Sequence, residues 1–172
     1  MAEIIRTFTQ SQPAACFIGK AFSSKLWKTP PEMWGTFFAN GWFTLIEEKL
    51  PADWERVFPD GSAYIGLERG DDRGLNAYWV GMFAPNDAEV PEGFEKLIFP
   101  AAEIAVAYVY GREDGDIYGN EEKCLAHFAQ DGLAPKKDAE GRFWVWERYA
   151  CPRFTEPDEK GNVILDICCI TG

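Results

Sequence analysis

The stretch Phe143-Trp144-Val145-Trp146-Glu147-Arg148-Tyr149 constrains what this chain can fold into more than any other. Its aromatic and β-branched content predicts a strand, and a strand turns successive side chains to opposite faces. Phe143, Val145, Glu147 and Tyr149 therefore share one face, while Trp144, Trp146 and Arg148 share the other. A single carboxylate then stands among apolar and aromatic neighbours, where an unpaired charge is costly. Two kinds of partner would satisfy it: a ligand, or a Lys or Arg from another strand or from the surroundings of Arg148.

The rest of the chain reads as scaffolding for that strand. At 172 residues, 47% hydrophobic and 15% aromatic, it is long enough for one domain with a full core. Seven Trp and thirteen Phe exceed what a minimal core needs, which leaves rings free to line a pocket. The net charge of −11 argues against nucleic acid and anionic membrane surfaces as partners. It favours cationic small molecules or a basic protein surface, and it equally serves solubility. Apolar runs fall short of the ~18 residues of a spanning helix, and no leader-like segment opens the chain. The expectation is a soluble, cytoplasmic protein. Five cysteines without C-x-x-C spacing suit a reducing compartment and argue against a zinc site or a disulfide framework. Cys168 and Cys169 are adjacent in a predicted strand, so they face opposite ways.

In chain order, Glu3 to Thr9 and Ala14 to Phe22 read as extended pieces. Thr29-Pro30-Pro31-Glu32 carries helix-start chemistry, a capping Thr followed by Pro in the first turn. Trp34, Phe37, Phe38, Trp42, Leu45 and Ile46 follow at helical spacing, which predicts one helix running to Leu50 before Pro51. Ala63 to Leu67 and Leu75 to Ala84 read as a hairpin around the Gly70–Gly74 turn. Pro85 to Pro100 reads as a polar connection. Glu103 to Tyr110 is a strand, Ile117 to Gln130 a weaker helix ended by Gly132, and Phe143 to Tyr149 and Asn162 to Ile170 are strands. Strand–helix–strand–strand thus occurs twice, in approximate repeats 1–90 and 91–172. The fold class expected is α+β, with one antiparallel sheet and both helices on one face. A groove between the helices is the natural place for a pocket.

Much enzyme chemistry lacks its residues here. There is one histidine, His127, and no G-x-S-x-G, H-E-x-x-H, G-x-G-x-x-G or P-loop motif. A carboxylate with aromatics remains. A cation 4 Å from a carboxylate gains roughly 4 kcal/mol at an effective dielectric of ~20, and a ring face adds about 0.5–2 kcal/mol.

Pro100-Ala101, Ala105-Val106, Gly111, Asp131-Gly132, Glu147-x-Tyr149 and Asp166-Ile167 occur in an order that resembles the GyrI-like effector-binding domain. Pro91-Glu92-Gly93 resembles the P-x-G that precedes the family's second repeat. The resemblance covers almost the whole chain and rests on the order of short motifs. This family comprises the small-molecule-sensing modules of AraC- and MerR-type multidrug regulators, together with free-standing members. The resemblance implies a pseudo-symmetric pair of repeats and a cleft for drug-like, often cationic or aromatic compounds, without cofactor or metal. It makes Glu147 the buried acidic contact and Tyr149 its support. Trp34, Phe38, Trp79, Tyr108 and Trp146 are further ligand-binding candidates by aromatic character and position. The chain departs from the regulators in showing no helix-turn-helix, so a stand-alone sensing or sequestering role is expected. Some free-standing members of the family hydrolyse cyclopropane-bearing cytotoxins, a role in which Glu147 and Tyr149 would act on a strained electrophile. Others bind DNA gyrase, which leaves gyrase or a regulator as a possible protein partner.

Overall fold

The computed structural model describes residues 1–172. The strands are β1 (Glu3–Gln12), β2 (Ala15–Ala21), β3 (Tyr64–Asp71), β4 (Gly74–Ala84), β5 (Glu95–Phe99), β6 (Ala102–Arg112), β7 (Phe143–Tyr149) and β8 (Asn162–Ile170). The helices are α1 (Pro30–Ala39), α2 (Trp42–Glu47), α3 (Trp54–Val57) and α4 (Glu121–Gln130). All eight strands join one antiparallel sheet in the order β1-β6-β8-β7-β3-β4-β2-β5.

The expected α+β class and repeated strand–helix–strand–strand order are present. From the β7–β3 seam at the centre, hairpin β7–β8 then β6 runs one way, and hairpin β3–β4 then β2 the other. The edge strands are exchanged between the halves. β1 comes from the start of the chain yet pairs with β6, and β5 immediately precedes β6 yet pairs with β2. β5 lies within the stretch read from sequence as a connection, because its short Glu95-Lys96-Leu97-Ile98-Phe99 run carries no strong alternation.

This exchange bends the sheet. Only Pro100 and Ala101 separate β5 from β6, so Phe99 and Ala102 lie within about 11 Å of one another. Six strand spacings in a flat sheet would hold those strands ~29 Å apart. The sheet therefore curls, and the inside of the curl is the core that contains Phe17, Phe83, Phe99, Trp146, Leu67 and Val106. Gly19 and Gly81 are opposite one another in that curl. A Cβ on Gly81 would stand 2.1 Å from the Ile18 carbonyl oxygen, so glycine is what lets the backbones approach.

α1, α2 and α4 cover the outer face. α1 starts as its sequence predicts: the Thr29 hydroxyl accepts from the Glu32 N–H, and Pro30 and Pro31 fill the first turn. The helix expected to reach Leu50 instead breaks after Ala39. Gly41 takes a left-handed conformation at φ 65°, and α2 restarts from it. The break re-aims the chain so that Phe43 and Ile46 of α2 join Met33 and Phe37 of α1 over Val80 and Met82 of β4. α4 covers the other half through Cys124 and Phe128, against Ala105, Val145 and Cys169. Cys168 and Cys169 do point to opposite cores.

Candidate functional site

Between the two helical layers, the outer face of the central strands is left uncovered. A cavity of about 880 Å³ opens there. Its floor is set by strand register. Gly66 of β3 pairs with both Glu147 of β7 and Val80 of β4, so no side chain rises between Glu147 and the hairpin. Tyr64 and Glu68 flank Gly66 at alternate positions of β3, while Tyr78 of β4 leans in from the side. Trp34 and Phe38 of α1 make one wall, and Tyr118, Glu121 and Phe154 line other parts of the cavity.

Glu147 is only 6% exposed. Its two carboxylate oxygens accept hydrogen bonds from the Tyr78 hydroxyl at 3.1 Å and the Tyr149 hydroxyl at 2.8 Å. Trp34 Nε1 donates to the Tyr78 oxygen at 2.7 Å, which ties α1 to the carboxylate through one intermediary. Trp34 also meets the Tyr149 ring edge-on at 4.9 Å. Burial, then the nearby Glu121 charge, pushes the Glu147 carboxyl up to about 7, while the two tyrosine hydrogen bonds pull the other way.

Glu147 has company that the strand pattern did not foretell. Glu68, Glu121 and Glu147 bring carboxylate oxygens within 4.8 Å of one another. Burial, followed by the Glu121 and Glu147 charges, pushes the Glu68 carboxyl up to about 9. Glu47, whose carboxylate accepts from the Tyr64 hydroxyl at 3.2 Å, and Glu113 also line the cavity. No Lys, Arg or His lines it. The arrangement is an aromatic box with an excess of carboxylate, suited to holding positive charge.

The second partner considered for Glu147, a basic side chain, is absent. Arg148 points to the inner face, where its Nε donates to Asp166 at 2.7 Å and its Nη2 approaches Asp60 at 3.4 Å.

The structure brings Glu147, Tyr149, Trp34 and Phe38 together in the cavity. It does not bring Trp79, Tyr108 or Trp146 there. Period-two alternation puts them on the inner face: Trp79, Leu67, Trp146, Cys168 and Val106 form one cross-strand row, next to the Val80, Gly66, Glu147, Ile167 and Ala107 row. Trp146 packs on Phe83 and Phe99, Trp79 on Trp144, and Tyr108 on Phe8. Tyr64, Glu68, Tyr78, Tyr118 and Glu121 belong to the cavity and escaped the sequence reading. The alternation Tyr64, Gly66, Glu68 was the available signal for two of them. His127 lies on the exposed side of α4, 3.9 Å from Asp131.

The floor gives a direct stability prediction. A Cβ at position 66 would stand 2.5 Å from the Tyr78 hydroxyl oxygen and 2.6 Å from a Glu147 oxygen. Gly66→Ala is expected to destabilise by about 1–3 kcal/mol, read by denaturant unfolding. An unchanged midpoint would mean that Glu147 and Tyr78 have room to retreat.

No family model matches this sequence, and no curated protein matches it either. Solved structures do. A candidate bacterial transcription regulation protein from Staphylococcus aureus MU50 aligns over 97% of this chain and 99% of its own, with a TM-score of 0.62 and 13% identity. The protein SAV2435, solved bound to tetraphenylphosphonium, aligns over 98% of this chain and 94% of its own, with a TM-score of 0.67 and 13% identity. At that identity the likeness is one of fold, and the site must be argued from its own residues.

Proposed function

We propose that this chain binds drug-like cations with aromatic surface in the cavity over β3, β4 and β7, with Glu147 as the counter-ion. The observation that carries the reading is a carboxylate 6% exposed, hydrogen-bonded by two tyrosines and facing no basic side chain. Such a group is costly when empty and gains most from an entering positive charge. A volume of about 880 Å³ lies in the range of drug-sized sites. Trp34, Phe38 and Tyr149 supply ring surface for the apolar part of the ligand. The fold shared with a protein that binds tetraphenylphosphonium adds support. On this reading the chain is a GyrI-like effector-binding domain formed by residues 1–172 as one unit, acting in the cytoplasm by sensing or sequestration.

A second reading uses the same group. A carboxyl pushed up to about 7 is matched to general acid–base work near neutrality, so Glu147 would activate water against a strained electrophile with Tyr149 alongside.

Titration of the protein with tetraphenylphosphonium, followed by tryptophan fluorescence, tests the first reading, since Trp34 lines the cavity. Saturable quenching with the ligand recovered intact by mass analysis is the expected result. No saturable change across a panel of cationic dyes would overturn it. For the second reading, the panel is extended to strained electrophiles, and a hydrolysed product formed with turnover decides in its favour.

A further inference from the structure

The Glu68–Glu121–Glu147 cluster is more than a single counter-ion requires. Three carboxylate oxygens within 4.8 Å of one another cannot all be ionised without compensation. No cationic side chain among the groups around them supplies it. Tyr149 on β7 and Tyr78 on β4 both donate to Glu147. Tyr118 and Glu113, from the segment before α4, add a phenol and another carboxylate, and Glu47 of α2 adds one more. The bases nearest in sequence are engaged elsewhere: Arg69 binds Asp138 at 2.5 Å and covers Trp144, and Lys123 donates to the Ala2 carbonyl at 3.4 Å. Glu147 has two hydroxyl donors that favour its ionised form. Glu68 has only its carboxylate neighbours, so a shared proton is what lets it lie beside Glu121.

We propose that Glu68 holds a proton against Glu121 in the empty cavity and gives it up to solvent when a cation enters, so that this protein takes up lipophilic cations in exchange for a proton. This deepens the cation-binding reading and rests on it. Charge balances at each step: one positive charge enters, one proton leaves the Glu68 carboxyl for the buffer, and the cluster gains a carboxylate facing the ligand. The upward displacement of Glu68 to about 9 accords with the geometry. The sign follows from linkage. Because the empty protein holds the proton and the complex does not, affinity rises with pH until the free carboxyl itself ionises. The matched ligand is a permanent cation, a phosphonium or quaternary ammonium, since it brings charge without a proton of its own to lose over this range.

Calorimetric titration with tetraphenylphosphonium at about pH 8, in two buffers of different ionisation enthalpy, counts the protons. At that pH Glu147 is already largely ionised and Glu68 is not. The expected result is release of about one proton per cation, with affinity rising by close to tenfold per pH unit between about 7 and 9. Glu68→Gln is expected to bind at pH 8 with almost no proton released and with a profile that is flat above about 8, where Glu147 is already ionised. Wild-type binding without proton release overturns the exchange while leaving the cation site standing. Release that persists in Glu68→Gln overturns the role of Glu68. Absence of binding overturns both the exchange and the reading beneath it.

Discussion

Replacing Glu147 by glutamine is expected to abolish saturable cation binding and, in the same variant, to make the empty protein harder to unfold near pH 8. Binding is lost because the ligand's charge would meet a neutral amide in a site with low access to water. Stability rises because the wild-type protein carries a buried carboxyl whose pKa moves from 4.5 to about 7 on folding. The folded chain then holds the proton more tightly than the unfolded one. The carboxyl's contribution is intact below about 4.5 and is lost as pH rises through 7. At 1.36 kcal/mol per pH unit the loss amounts to roughly 3 kcal/mol above that window. Glutamine has the same shape, keeps partners for Tyr78 and Tyr149 and carries no charge, so recovery of about 1–3 kcal/mol is expected. Thermal unfolding at several pH values reads both parts. The wild type should lose stability from mildly acid to mildly alkaline pH, and the variant should lose less. Unchanged cation affinity in Glu147→Gln would remove the counter-ion role.

The residue next to Glu147 supports the opposite expectation. Asp166, 0% exposed, accepts from Arg148 Nε at 2.7 Å and from Arg153 Nε at 2.8 Å. Arg153 also grips Asp60 with two nitrogens at 2.9 and 3.2 Å, and Arg148 Nη1 donates to Gln10 at 3.1 Å. This group fastens β1, β7, β8 and two loops on the inner face. Asp166→Ala would remove the fully buried carboxylate that both guanidinium groups grip and leave Asp60 as the one they still share. A loss of about 3–5 kcal/mol in chemical denaturation is expected. A loss below about 1 kcal/mol would mean that water reaches Arg148 and Arg153 well enough to replace the carboxylate. Neighbouring residues of one strand therefore separate two uses of buried charge. Arg148 is paired and structural. Glu147 is left without a cation, at a cost to stability, as a group reserved for a ligand would be.

How much of this was legible beforehand depended on how local the cause was. The strands at Phe143–Tyr149 and Asn162–Ile170 have the ends that their alternation implied, and α1 begins where Thr29, Pro30 and Pro31 dictate. Those features follow from backbone sterics and side-chain period within a few residues. The same period set Glu147 apart from Trp146 and Arg148. Applied consistently, it would also have kept Trp146 out of the pocket, as the inner-face row Trp79, Leu67, Trp146 and Cys168 makes plain.

Other features had no local cause. The left-handed Gly41 splits the long helix, and the aromatic segments on either side of it then pack on the same strands. β5 is a strand because the curled sheet offers β2 as a partner, not because its five residues alternate. Glu68 and Glu121 are more than fifty positions apart and meet Glu147 only through the β3–β7 register and the docking of α4. By itself, then, the sequence determined the repeated order of elements, the faces of each strand and one carboxylate in need of a partner. Only the tertiary structure decided that the partner is not an arginine, and that three glutamates share one cavity. Side-chain period is a property of adjacent residues, whereas strand order, curl and the meeting of distant charges arise from which surfaces the chain buries together.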